Sequence, residues 1–163
     1  MAEIGNDRAR CYSEIGHALW ATGRPNEALE SSEKAREMRE VLIETNPSVT
    51  EYRSDLAVTI GFIGVLREEA GQFAEATARF RKAIALLDGL PSPTPEDHYN
   101  RACYHSRLAG IAGQPRSGVT VDEGRAEADR AMDDLRRAAT AGFRMLSLMA
   151  IDHDLDPLRS RPA

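Results

Sequence analysis

The feature that most constrains this chain of 163 residues is an internal repeat with a period of 48 residues. When residues 9–35 are aligned with 57–83, eight of the 27 aligned positions are identical, whereas chance at ordinary composition gives about two. The identical pairs include Gly16 with Gly64, Gly23 with Gly71 and Lys34 with Lys82. A repeat of this length indicates an array of similar units that stack on one another.

The first repeat unit predicts two antiparallel helices. Apolar residues recur at spacings of three and four between Ala9 and Leu19, which is typical of a helix with one buried face. Gly23 can adopt the left-handed conformation that ends a helix, and Pro25 is favoured in the first turn of the next one. We therefore expect a helical hairpin over 7–46.

The second unit repeats this pattern and predicts a hairpin over 47–89. Ser48 and Glu51 have the spacing of a capping box at the start of its first helix. Gly64 and Ala76 in this unit correspond to a glycine and an alanine in the first unit. Because residues without bulk let two backbones approach closely, we expect the two helices of each hairpin to touch at these positions.

A divergent third unit follows the proline-rich segment 90–95. Thr94, with a proline and two acidic residues directly after it, predicts the capped start of a helix. A loop over 113–120 separates this helix from the next one, so the third hairpin is predicted over 94–141. A terminal short helix and a tail are predicted over 143–163.

Composition excludes several classes of function. The net charge of −5 argues against a nucleic-acid surface, and no run of the sequence approaches the 18 apolar residues of a membrane-spanning helix. The two cysteines form no CxxC pair, and the first residues lack the apolar stretch of a signal peptide. We therefore expect a cytoplasmic protein with no nucleic-acid partner and no membrane insertion.

The repeat resembles the tetratricopeptide repeat, which spaces Trp, Leu-Gly, Tyr, Ala, Phe, Ala and Pro over two antiparallel helices. The matching residues are Tyr12, Ile15-Gly16, Leu19, Gly23, Ala28 and Ala35 in the first unit, and Ile60, Ile63-Gly64, Gly71, Ala76, Phe80 and Ala83 in the second. The resemblance implies an all-α, right-handed α-solenoid of about seven helices. It also implies a scaffold for protein–protein interaction that needs no cofactor.

Three segments, NPSVTEYRSDLA, DHYNRACYHSRLAG and LDPLRSRP, are similar to the C-terminal repeat arrays of certain bacterial serine/threonine protein kinases. This resemblance implies a regulatory part of a larger signalling protein. The sequence contains no GxGxxG, VAIK, HRD or DFG motif, which a protein kinase needs for phosphate binding and catalysis. We therefore expect no catalytic residue in this chain and place any kinase domain outside it.

In arrays of this kind the first helices of the hairpins line a concave groove that binds peptides. The predicted groove residues are Arg10, Ser13, His17, Trp20, Val58, Phe62, Val65, Glu69, Tyr99, Asn100, Cys103 and Arg107. Trp20, the single tryptophan, is either a packing residue at the hairpin tip or an exposed anchor for a partner. The Lys, Asn and Arg clamp of chaperone-binding members is missing at Ser13 and His17, so we expect no binding of chaperone tails.

Two alternatives stay open at this level. Uncapped ends of the array could pair with a second copy and form a homodimer. An enzyme could use His98, Cys103 and His105 in the third unit. His98 and His105 lie seven residues apart, whereas zinc ligands on one helix more often lie three or four apart, so we expect no metal site.

Overall fold

The computed structural model describes residues 2–159 and is built from helices. Within that range there is no β-strand, which confirms the predicted all-α, repeat-type fold. The helices are α1 (Ala2–Ala21), α2 (Pro25–Thr45), α3 (Thr50–Glu69), α4 (Phe73–Asp88), α5 (Pro95–Gly110), α6 (Val121–Ala141), α7 (Leu146–Ile151), a 3₁₀ turn (His153–Leu155) and α8 (Asp156–Arg159). The first six pack as three antiparallel hairpins, α1–α2, α3–α4 and α5–α6, which stack in chain order.

Glycines bring the two helices of the first two hairpins together. A Cβ atom on Gly16 would lie 3.3 Å from the Ala28 carbonyl oxygen and 2.7 Å from Ser32 Oγ. At the equivalent position, a Cβ on Gly64 would lie 2.6 Å from the ring of Phe80. The helices of each hairpin therefore meet at the predicted glycines, but in the second hairpin the ring of Phe80 fills the space.

Among the first six helices, the boundaries follow the predicted cap signals except at the start of α3. Gly23 adopts a φ of 76° after α1, as expected for a left-handed helix end. Thr94 and Asp97 form a capping box at the start of α5. The capping box expected from Ser48 is wrong: α3 begins at Thr50, so its N-cap is Val49, which has no side-chain acceptor. The box motif therefore lies one residue out of register with the helix.

The main core lies between the second and third hairpins. Phe80, Ile60 and Leu108 are fully or almost fully buried there, and the Tyr104 ring fills the space beside Gly61, where a Cβ would lie 2.2 Å from it. No helix of the described range 2–159 combines the length and the apolar character needed to cross a membrane.

The C-terminal segment differs from the predicted short helix and tail. Helix α7 begins at Leu146 rather than at residue 143, because Phe143 leaves the helical register and stacks on Tyr99, with ring centroids 4.5 Å apart. The chain then folds back on α5 through the 3₁₀ turn and α8, where Leu155 is buried. The predicted tail is thus folded structure as far as residue 159; residues 160–163 lie outside the described range.

Candidate functional site

A groove with a volume of about 740 Å³ lies between α1, α3, α5 and the C-terminal segment. Nine of the twelve predicted groove residues line it. They are His17, Trp20, Val58, Phe62, Val65, Glu69, Asn100, Cys103 and Arg107. Residues three or four apart lie on the same face of a helix, so these side chains share one face of α1, of α3 and of α5. The first helix of each hairpin therefore forms the groove.

The floor of the groove is aromatic and aliphatic. The rings of His17 and Phe62 lie 3.8 Å apart between centroids, and Trp20 meets Phe62 edge-on at 5.8 Å. Burial by these neighbours lowers the pKa of His17. Trp20 Nε1 donates a hydrogen bond of 2.7 Å to Glu69, while 39% of the tryptophan remains exposed. Trp20 is thus packed on one side and open to the groove on the other.

The rim of the groove is acidic. Five carboxylates line it, at Glu68, Glu69, Asp152, Asp154 and Asp156. A single arginine, Arg107, is also present in the lining, and it donates to Asp154 at 2.6 Å and to Glu68 at 3.3 Å. Burial raises the pKa of Glu68 and of Asp154 despite the nearby guanidinium, because both carboxyls are partly withdrawn from water. Each of the five carboxylates accepts at least one hydrogen bond within the chain, and the lining as a whole carries more negative than positive charge, which favours a cation.

Sequence reasoning missed the fourth wall of the groove. Ile151 comes from the predicted terminal short helix, and Asp152, His153 and Pro157 come from the segment that was expected to be a tail. With the structure known, three features of the sequence can be seen to favour folded structure in this segment. They are Leu155 and Leu158 at helical spacing, a proline in the first turn of a helix, and acidic residues able to pair with Arg107. None of them indicates which helix the segment packs against.

Three of the predicted residues lie outside the groove. Arg10 pairs with Asp7 at 2.9 Å on the outer side of α1. Ser13 Oγ accepts a hydrogen bond of 2.8 Å from Arg39. Tyr99 is buried outside the groove, and its hydroxyl donates a hydrogen bond to Asp152. This bond links α5 to the C-terminal segment.

Cys103 lines the groove beside two of these carboxylates. Its Sγ and the carboxylate oxygens of Asp152 and Asp154 all lie within 4.8 Å of one another, an arrangement able to receive a metal ion. Burial raises the pKa of the Cys103 thiol well above its ordinary value, so the thiol is held in its neutral form. Tyr99 donates to one carboxylate and Arg107 to the other, so an entering cation has to displace Arg107.

The two histidines considered for catalysis face away from Cys103. His105 Nδ1 lies 2.5 Å from Glu127 Oε2 on α6, and His98 Nδ1 lies 3.3 Å from Arg101 Nη2. Both line the side of α5 that packs on α6. The enzyme alternative therefore requires residues that the structure places on two different sides of one helix.

Comparison with protein families gives one match: residues 8–47 fit the family model described as tetratricopeptide repeat. Neither the curated proteins nor the solved structures contain a match to this chain. The matched segment is the first hairpin, and the second hairpin repeats it after 48 residues. Helical arrays of this class generally mediate interactions between proteins.

Proposed function

We propose that this chain is a protein-interaction scaffold whose groove binds a peptide with a basic side chain next to an apolar one. The observation that carries this proposal is an apolar floor directly beside an acidic rim. Val58, Ile151 and the open side of Trp20 offer an exposed surface for an aliphatic or aromatic side chain. Glu69, whose Oε2 accepts a hydrogen bond from Trp20, also lines the groove, and a guanidinium or ammonium group can meet its carboxylate there.

The charge of the rim also determines what the groove rejects. Chaperone-type peptides end in carboxylates, and the groove brings five carboxylates against them. Like charges in a confined site are costly, so an acidic tail is disfavoured. This agrees with the missing clamp pattern at Ser13 and His17.

We also place the scaffold in a regulatory part of a larger bacterial signalling protein, with a cytoplasmic location. Support for this context comes from the three segments that are similar to kinase-associated repeat arrays. One of them, DHYNRACYHSRLAG, forms α5 and supplies Asn100, Cys103 and Arg107 to the groove. No chemistry is assigned to the scaffold itself, because its role is to position a partner.

The experiment is a calorimetric titration of the chain with short acetylated peptides. One peptide carries adjacent Arg and Leu, a second carries Glu and Leu, and a third is an acidic C-terminal tail. We expect binding of the first peptide alone, accompanied by a change in Trp20 fluorescence. Glu69→Gln should weaken that binding by about tenfold, or 1.4 kcal/mol.

The matched control is Glu75→Gln, since Glu75 is exposed on α4 and does not line the groove. Lowering the pH should also weaken binding, because protonation of Glu68 and Asp154 removes negative charge while protonation of His17 adds positive charge. Equal affinity for the Arg-Leu and Glu-Leu peptides, or binding that survives Glu69→Gln unchanged, contradicts the proposal.

A further inference from the structure

The third hairpin and the C-terminal segment bring three side chains that can bind a metal ion to one side of the groove. Cys103 on α5 meets Asp152 and Asp154 of the C-terminal segment, and the sulfur and the two carboxylate oxygens all lie within 4.8 Å of one another. Tetrahedral zinc, with bonds of about 2.3 Å to sulfur and about 2.0 Å to oxygen, sets its ligand atoms about 3.5 Å apart. Side-chain movements of about 1 Å therefore suffice to close these three groups around one ion.

The sulfur of Cys103 is a buried group directed into this cluster. Only 3% of Cys103 is exposed. Tyr99 lies one helical turn earlier, beside the thiol, but its hydroxyl donates its single proton to Asp152 rather than to the sulfur. The side chain of Asp154 is 29% exposed, so the cluster can be reached from the groove. An ion that enters there finds the sulfur behind the two carboxylates.

Both carboxylates keep the capacity to bind an ion. Arg107 donates to one oxygen of Asp154, Oδ1, from Nε at 2.9 Å and from Nη2 at 2.6 Å, which leaves Oδ2 to a cation. Asp152 accepts from Tyr99 on Oδ2 and from the backbone N–H of Asp154 on Oδ1, and each of these oxygens has a second lone pair. Hydrogen bonds of this kind orient carboxylates that bind metals.

Arg107 opposes a cation at this place, but a second carboxylate is within its reach. Its Nη1 already donates to Glu68 at 3.3 Å. Two positive charges at such short range repel, so the guanidinium leaves Asp154 and pairs with Glu68 when the ion enters. Because Arg107 keeps a carboxylate partner throughout, the exchange does not leave a partly buried charge uncompensated.

We propose that Cys103, Asp152 and Asp154 form a binding site for a divalent transition metal, with zinc preferred. A thiolate beside two carboxylates suits zinc, whereas magnesium and calcium prefer oxygen ligands alone. On binding, the thiol proton passes to solvent, the sulfur bonds to the ion, and water completes the coordination from the groove. The site uses neither His98 nor His105, and it does not depend on the proposed binding of peptides.

The test is a titration of the whole chain with Co²⁺ after treatment with a chelator. A cobalt–thiolate bond gives a charge-transfer absorption in the near ultraviolet, which carboxylate ligands alone do not give. We expect one ion per chain, this absorption, and displacement of Co²⁺ by Zn²⁺ but not by Mg²⁺. Cys103→Ser should remove the absorption, whereas the matched Cys11→Ser, which changes the exposed cysteine, should keep it.

A second pair of variants separates the loss of a ligand from misfolding. Asp154→Asn should weaken Zn²⁺ binding by at least about tenfold with an unchanged circular dichroism spectrum. His153→Gln is its control, because His153 is 88% exposed and pairs with Asp156, so its affinity for Zn²⁺ should be that of the wild type. No Co²⁺ bound at about 0.1 mM, an absorption that survives Cys103→Ser, or equal effects of Asp154→Asn and His153→Gln would each overturn the proposal.

Discussion

The two ends of the array are built in opposite ways from the same repeat unit. Helix α1 and helix α5 both open a hairpin, yet α1 buries Ala9 and Gly16 alone, whereas nine residues of α5 are buried. The difference comes from neighbours: α5 packs against α4, α6 and the C-terminal segment, but α1 packs chiefly against α2. An equivalent place in a repeat therefore does not imply equivalent burial.

The closed end is held by charged groups as well as by apolar packing. Arg101 donates to both carboxylate oxygens of Asp134, at 2.8 and 2.7 Å, and to Asp88 at 2.7 Å. Arg107 ties the C-terminal segment to α5 and α3. Helix α1 instead exposes Ile4 and Ile15. We call the end at α5 and α6, which is held by these ion pairs, the sealed end and the end at α1 the open end.

The largest expected effect comes from breaking the sealed end at Asp134. Asp134→Asn leaves the Arg101 guanidinium in a site where it is about 10% exposed, with Asp88 as its remaining carboxylate. We expect the free energy of unfolding to fall by about 3 kcal/mol, because removing the buried partner of a buried charge is costly even when an exposed partner remains. Urea denaturation followed by circular dichroism measures this loss.

The neighbouring Asp133→Asn provides the control for this variant. Asp133 pairs with Arg136 on the exposed side of α6, where both side chains are more than half exposed. Its loss should change stability by less than about 0.5 kcal/mol. If Asp134→Asn and Asp133→Asn lower the free energy of unfolding by similar amounts, the buried ion pair of Arg101 does not stabilise the sealed end more than a surface ion pair does.

A smaller effect is expected from detaching the C-terminal wall of the groove. Arg107→Gln removes the contacts with Asp154 and Glu68, both partly buried. We expect a loss of about 1–2 kcal/mol and faster proteolytic cleavage in the segment 142–153, with the first hairpin uncut. His153→Gln should leave cleavage unchanged, since His153 is 88% exposed; equal protection in all three proteins would argue against Arg107 as the fastening residue.

The smallest effect concerns the junction between the open end and the rest of the array. The ring of His17 lies against Phe62, and burial lowers the pKa of His17. The unfolded chain therefore binds a proton at this residue first, so the stability that His17 contributes is present above about pH 6.5 and is lost as the pH falls through its lowered pKa.

An NMR titration of the histidine ring protons measures this pKa directly. We expect His17 to titrate below its ordinary value in the wild type and to move back up in Phe62→Ala, which opens the ring to water. If the pKa of His17 lies at or above its ordinary value, the ring of His17 does not pack against Phe62 of the second hairpin in solution.

Much of the helical architecture follows from local signals in the sequence. Gly23, Gly71 and Pro25 mark helix ends because their backbones favour or require particular conformations, and these positions do end or begin helices in the structure. Helical register predicted that nine of the groove residues share one groove, since residues at helical spacing lie on one face of a helix. The exact start of α3 could not be decided from the local sequence. The helix takes Val49 as its N-cap, one residue after Ser48, and so makes no use of the capping-box motif.

What the sequence by itself determined is the first six helices and their pairing into hairpins. These properties depend on residues within a few helical turns of one another or on the period of 48 residues, and both can be read directly from the sequence. What the tertiary structure alone decided is the fourth wall of the groove and the contrast between the two ends. Tyr99 meets Asp152 across 53 residues and Arg107 meets Asp154 across 47. Nothing in the spacing of those residues favours these pairs over others, because it is the three-dimensional stacking of the hairpins that brings them together.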